Sequence, residues 1–177
     1  MPKQPHPDKL LSIYLNDHLA GSTAGVQLAR RLLASNRDDP SFGEPLADVC
    51  AEVETDREAL KETMERLGVS RGSVKPAAAW IGERLGRLKP NGQLAGYSPL
   101  SRVVELELLL IGISGKKRMW SVVEQARGSG LAIDFGRLID RAERQRTRVA
   151  ELHSAAAAIA FAPSEAPEPT EPAQLTR

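Results

Sequence analysis

The sequence is short of cysteine, of aromatic residues and of long apolar runs, and each shortage excludes a class of protein. A single cysteine, Cys50, cannot form an intrachain disulfide or a cysteine-ligated zinc or iron–sulfur site. Aromatic residues make up only 4% of the chain, so a core must be built from aliphatic side chains. No apolar stretch reaches the ~18 residues of a membrane-spanning helix, and residues 1–7 lack the apolar stretch of a signal peptide. We therefore expect a cytoplasmic protein that has no membrane partner.

An excess of charge of either sign is also missing. The 177 residues include 24 Lys and Arg against 23 Asp and Glu, which gives a formal net charge of +1. Domains dedicated to nucleic acids carry a marked basic excess that contacts the phosphates. We therefore expect no nucleic-acid partner.

Apolar residues recur at helical spacing over most of the chain, and no segment alternates apolar and polar residues as a strand does. The pattern predicts four helices, over about residues 8–35, 44–67, 99–126 and 134–161. Residues 1–7 and the Pro/Glu-rich residues 163–177 are expected to be disordered ends of one domain, 8–162. The links after the first and third helices are short, whereas residues 69–97 predict a long helical crossover.

This order of links resembles the ferritin-like superfamily. Short links force antiparallel neighbours, and a long crossover lets the second and third helices run parallel. Beside helix length, the resemblance rests on Leu15-Asn-Asp-His-Leu-Ala20 in the first helix and Glu52-Val-Glu-Thr-Asp-Arg-Glu58 in the second. It implies an all-α, ferritin-like antiparallel four-helix bundle, in an uncharacterised bacterial branch.

The metal ligands of that superfamily are not found in this sequence. Its di-iron members place a glutamate on each of two helices and a Glu-x-x-His on each of the other two. The chain contains no Glu-x-x-His; the second helix offers Glu54-x-x-Arg57 and the fourth Glu143-x-x-Arg146. We therefore expect a bundle that has lost its metal site and binds no cofactor.

Each predicted helix still carries a polar side chain toward the bundle axis when residues are projected at ~100° intervals. On this projection Glu107 points inward and Glu105 points outward. We expect Glu107 to pair with Arg57 or Arg146, because an unpaired buried charge costs several kcal/mol. The predicted buried polar network comprises His18, Ser22, Arg57, Glu107, Gln145 and Arg146.

A second interpretation of the same positions is a remnant ligand pocket. His18, Glu107 and His153 would then hold a metal such as iron, or a haem, in the core. The protein would be a redox or oxygen-handling protein with an atypical centre. No nucleophile–base pair accompanies these residues, since Cys50 has no histidine close to it in sequence.

Glycines inside the first and third predicted helices indicate close helix approach or room for a bulky neighbour. An interior glycine destabilises a helix by ~1 kcal/mol relative to alanine, so a compensating contact is expected. The neighbour would be Trp80, Trp120 or a planar ligand. The glycines are Gly21, Gly25, Gly112 and Gly115.

The functional expectation is a non-enzymatic bundle that acts as an interaction or stress-associated structural protein. Its partner would be a second copy of the chain, in a homodimer, or another protein.

Overall fold

The computed structural model describes residues 6–72, 97–127 and 130–162. These residues form four α-helices and no strand: α1 (Pro7–Asn36), α2 (Gly43–Arg66), α3 (Pro99–Arg127) and α4 (Phe135–Ala160). Each helix begins and ends within one residue of its predicted range, so the all-α class is confirmed. Most of the expected crossover, with Trp80, most of the expected leader, and all of the expected tail lie outside the described residues.

Short polar residues and a glycine set the helix ends. Before α3, the Ser98 hydroxyl accepts a hydrogen bond from the Ser101 backbone N–H at 3.1 Å. Before α4, the Asp134 carboxylate accepts one from the Arg137 N–H at 2.9 Å. Both bonds satisfy backbone donors that the first turn leaves free. Gly68, just after α2, has a φ of +66°, a conformation that glycine adopts without steric cost.

Each helix contacts two others: α1 packs beside α2 and α3, and α4 packs beside α2 and α3. Ion pairs join opposite ends of neighbouring helices. Arg127, the last residue of α3, binds Asp8 near the start of α1. At the other end, Arg31 Nη2 of α1 lies 2.8 Å from Glu105 Oε1 of α3. The pairs α1–α4 and α2–α3 are not adjacent.

The core is aliphatic and consists of two apolar clusters, one toward each end of the bundle. Trp120 is the largest fully buried side chain, and its ring centroid lies 6.3 Å from that of Phe135. None of the described helices is long and apolar enough to cross a membrane. The first cluster includes Val26, Leu32, Phe42, Leu46, Val53, Leu106, Ile113 and Val149. The second includes Leu15, Leu19, Leu60, Met64, Met119, Trp120 and Leu138.

The interior glycines do not mark close helix packing among the described residues. A Cβ built on Gly21, Gly25, Gly112 or Gly115 would meet no atom of the described residues within 4 Å beyond the backbone of its own helix turns and its chain neighbours. Trp120 is therefore not the bulky neighbour of these glycines, while Trp80 lies outside the described residues and the planar ligand stays a prediction. The crowded glycine is Gly43 instead, where a Cβ would lie 2.4 Å from the Arg37 carbonyl oxygen.

Candidate functional site

Four polar side chains lie between the two apolar clusters, at the middle of the bundle. We call Asp56, Lys116, Arg141 and Gln145 the central charged cluster. Asp56 comes from α2, Lys116 from α3, and the other two from α4. On α2, Val53 before Asp56 belongs to the first apolar cluster and Leu60 after it belongs to the second. The central charged cluster is thus a polar layer between the two apolar clusters.

Asp56 is the acceptor at the centre of this cluster. The Lys116 ammonium and the Gln145 amide both donate to Asp56 Oδ2, the amide at 3.0 Å. Arg141 Nε donates to Asp56 Oδ1 at 2.7 Å. Lys116 also donates to the Gln145 Oε1 atom, so its ammonium lies between a carboxylate oxygen and an amide oxygen. The Asp56 carboxylate therefore has both of its oxygens satisfied.

The cluster holds its charges largely away from water. Asp56 is 2% exposed and Gln145 is fully buried. The Asp56 carboxylate faces two cations, Lys116 and Arg141. Burial lowers the pKa of the Lys116 ammonium below its ordinary value, and attraction from Asp56 opposes that shift. A buried carboxylate with two hydrogen-bonded cations stabilises both cations, but it is not left free to bind a third.

The donor set does not fit a metal centre. Metal sites of the di-iron type need several carboxylates and histidines around one point, whereas this cluster has one carboxylate. The Lys116 and Arg141 side chains already occupy both oxygens of that carboxylate, and their positive charges repel a metal ion. In the described ranges, no group of three or more His, Cys, Asp or Glu side chains is placed to hold a metal ion.

The prediction of which side of α3 faces the core is wrong. Glu105 is fully buried, whereas the side chain of Glu107 is 53% exposed. Ile111, one turn after Glu107 on the same side of α3, is 68% exposed, so this side of the helix faces away from the core. Because nearly every residue from 103 to 111 is apolar, the apolar positions alone do not fix which side faces the core.

Glu105 is held by residues from two other parts of the chain. Arg31 of α1 forms its ion pair, and the Tyr97 hydroxyl donates to Glu105 Oε2 at 3.1 Å. Burial raises the pKa of Glu105, and Arg31 and Tyr97 act in the opposite direction. The buried, paired glutamate of α3 is thus Glu105 and not Glu107, and its arginine partner is Arg31.

Neither predicted arginine partner lies on the bundle axis. Arg57 Nη2 lies 3.2 Å from the carboxylate of Glu58 beside it. Arg146 Nε donates to Glu143 at 3.1 Å, one turn earlier on the same helix. Long arginine side chains reach solvent while their stems cover apolar surface, which the projection of Cα positions does not capture. The predicted pairing of Glu107 with Arg57 or Arg146 is therefore wrong.

The remaining predicted residues divide between the cluster and the surface of α1. Gln145 is fully buried and belongs to the central charged cluster. The Ser22 hydroxyl donates to the Leu19 carbonyl of its own helix at 2.8 Å. The His18 ring packs edge-on against Tyr14 at 4.6 Å between centroids, and burial lowers its pKa. Among the described residues, Ser22 and His18 thus bond and pack within α1 and not with the central charged cluster.

Two of the three residues of the alternative centre do come together. His153 Nε2 lies 3.2 Å from Glu107 Oε1, where α3 and α4 meet at the surface. His18 lies on α1, which is not adjacent to α4. The three side chains therefore do not converge on one point.

Sequence reasoning missed three members of the central charged cluster: Asp56, Lys116 and Arg141. Asp56 does fall on the apolar stripe of α2, three residues after Val53 and four before Leu60, a spacing that places it on the inward face. The projection chose its neighbour Arg57 instead, about 100° further round the helix. Lys116 lies eleven residues after Glu105 and so on the same side of α3, which means that the error that turned Glu105 outward also hid Lys116.

Cys50 is buried on α2, with its Sγ 3.9 Å from Glu54 Oε1. Burial and the nearby carboxylate raise the pKa of the thiol, which keeps it protonated and unreactive.

No family model, no curated protein and no solved structure matches this chain. Its function is therefore inferred from the chemistry of the described residues.

Proposed function

We propose that this chain is a non-enzymatic, ferritin-like bundle that has lost metal chemistry and acts as an interaction or stress-associated structural protein. The observation that carries the proposal is the place of Lys116. Its ammonium lies where oxygens of Asp56 and Gln145 converge in the middle of the bundle. A side chain of the protein thus supplies the positive charge that a metal ion would supply in a metal-binding bundle.

The ferritin-like arrangement is supported by the ion pairs between opposite helix ends. Asp8 with Arg127 and Arg31 with Glu105 are the contacts expected if α1 and α3 run antiparallel. Between α2 and α4, Arg66 at the end of α2 donates to the Ala132 carbonyl just before α4 begins, at 3.0 Å. With α1–α2 and α3–α4 joined by short links, these directions correspond to an up–down–down–up bundle.

A protein partner is supported by the outer face of α3. Ile111 is 68% exposed and Val122 is 43% exposed. They lie eleven residues apart, which is three helical turns, so both occupy one side of the helix. We propose that a second copy of the chain covers these two side chains in a homodimer. The buried free thiol of Cys50 is compatible with the reducing cytoplasm.

The proposal is tested by metal analysis of the protein purified without an affinity tag from a medium that contains iron and manganese. We expect metal well below one equivalent per chain and no visible absorbance. Stoichiometric iron or manganese, retained through gel filtration, would contradict the proposal.

The redox alternative is favoured by one contact, that of His153 with Glu107. If these residues bound a metal or a haem, His153→Gln would remove metal or colour from the purified protein. We expect the variant and the parent protein to be identical in metal content and absorbance.

A further inference from the structure

We infer that the point between Asp56 Oδ2 and Gln145 Oε1 is a binding site for a primary ammonium ion, which the chain fills with its own Lys116. The inference rests on the proposed function, since it assumes that no metal ion occupies the middle of the bundle. The inference names the class of ligand that this point binds, which is a monovalent cation that carries N–H donors.

The two acceptors are fixed independently of the lysine. Asp56 is anchored by Arg141, whose Nε donates to its other oxygen at 2.7 Å. Gln145 is anchored by its own amide nitrogen, which donates to Asp56 Oδ2 at 3.0 Å. Both residues are almost fully buried. The acceptors therefore keep their positions when the third helix brings no ammonium to them.

The charge and the geometry select an ammonium over a metal ion. Asp56 and Arg141 together are neutral, so a monovalent cation leaves the cluster with one net positive charge, which Glu52 also attracts, whereas a divalent ion would leave two. An ammonium nitrogen needs acceptors at hydrogen-bond distance, and two helices supply one each. A hard divalent ion needs about six oxygen ligands at shorter distances, which this point does not offer.

Truncation of the lysine would open the site to an added ligand. Lys116→Ala removes three methylene groups and the ammonium, which together correspond to one n-propylammonium ion. The aliphatic stem of Lys116 is itself mostly covered, with its side chain 15% exposed. The space left by the truncation thus leads from the surface to both acceptors.

The experiment measures the melting temperature of the Lys116→Ala variant of the 177-residue chain with increasing n-propylammonium chloride. A ligand that binds the folded state alone raises the melting temperature, and once its concentration exceeds the dissociation constant the stabilisation grows with the logarithm of that concentration. We expect a rise of several degrees for Lys116→Ala with n-propylammonium. We expect none with tetramethylammonium chloride or sodium chloride at equal ionic strength, because neither cation carries an N–H donor.

Lys117→Ala is the matched control variant. Lys117 is the next residue on α3, and its ammonium binds Glu143 at 2.9 Å near the surface, with both side chains more than a third exposed. The parent protein and Lys117→Ala should show no specific response to n-propylammonium. An equal rise in all three proteins, or no rise in Lys116→Ala, would overturn the inference.

A second variant covers the case in which Lys116→Ala does not fold without ligand. Folding of that variant on addition of n-propylammonium, followed by circular dichroism, would then be the supporting result. Lys116→Met fills the same space with an apolar side chain and should fold but show no response. If it responds as strongly as Lys116→Ala, the inference is wrong.

The outcome is separable from that of the proposed function. Stoichiometric metal in the parent protein contradicts the proposed function, and with it the inference. A parent protein without metal combined with failure of n-propylammonium to rescue Lys116→Ala contradicts the inference alone.

Discussion

Asp56 and Lys116 bind each other, yet they are not equivalent members of the central charged cluster. Asp56 is the one carboxylate of this cluster, and it faces both of the cluster's cations, Lys116 and Arg141. Loss of the acid leaves two buried positive charges opposed, whereas loss of the lysine leaves a neutral Asp56–Arg141 pair. Removal of the Asp56 charge should therefore lower the free energy of unfolding by a different amount from removal of the Lys116 charge.

We expect Asp56→Asn to lower the free energy of unfolding by about 3–5 kcal/mol, the usual cost of leaving a buried charge without its partner. Lys116→Met should cost about 1–2 kcal/mol, because it leaves only the Gln145 Oε1 acceptor without a donor. Urea unfolding of both variants measures the contrast. Equal losses, or a larger loss for Lys116→Met, would contradict this account of the cluster.

Glu105 provides a prediction on pH. Since burial raises its pKa in the folded protein, the folded state holds this proton more tightly than the unfolded chain does. The contribution of Glu105 to the free energy of unfolding is therefore greatest below the ordinary value of 4.5 and falls as the pH rises through the raised pKa.

Glu105→Gln cannot release a proton and should lack this pH dependence. The difference in unfolding free energy between the parent protein and Glu105→Gln should shift against the parent as the pH rises from 4.5 toward neutrality. Glu107→Gln, changed at the exposed glutamate of the same helix, should follow the parent. If Glu107→Gln and not Glu105→Gln removed the dependence, the phase of α3 described here would be wrong.

At the scale of the helices, the sequence predicts where each element lies better than which way it faces. Ser98, Asp134 and Gly68 are strong local signals, so the helix ends agree with the structure. The facing side of a helix depends on packing against its neighbours, and α3 between Val103 and Ile111 is too uniformly apolar to show it. The buried glutamate was therefore placed two residues too late, at Glu107.

The central charged cluster was predictable only in part, for a related reason. Gln145 interrupts an apolar stripe and was found. Asp56 also interrupts one, but a neighbouring arginine offered an equally plausible inward charge, and only the tertiary contacts decide between adjacent positions. The ion pairs that hold the cluster join residues at least 60 positions apart, which no local pattern reports.

The glycines give a prediction for single helices. No neighbouring helix of the described chain comes near the missing Cβ of Gly112 on α3, so Gly112→Ala should stabilise the protein by up to about 1 kcal/mol through helix propensity. Gly43→Ala should destabilise it, because the new methyl group would collide with the Arg37 carbonyl oxygen at the α1–α2 turn. Thermal unfolding of both variants decides the point, and stabilisation by Gly43→Ala would contradict the described turn.

At the scale of the whole molecule, the ion pairs join two oppositely charged hairpins. The α1–α2 hairpin supplies the acid in the pairs Asp8–Arg127, Asp39–Arg102 and Asp56–Arg141, and the α3–α4 hairpin supplies the base. Arg31 with Glu105 is the reverse case. Complementary charges of this kind favour one docking of the two hairpins over others, with the buried Asp56 at the centre.

The central claim is that a lysine ammonium, and not a metal ion, supplies the positive charge in the middle of the bundle. Nitrogen-15 NMR of the lysine side chains in untagged protein tests it most directly. We predict a slowly exchanging ammonium signal that disappears in Lys116→Met, persists in Lys117→Met, and is unchanged by added iron(II) or manganese(II). Absence of that signal, or its loss as one equivalent of metal binds, would contradict the claim.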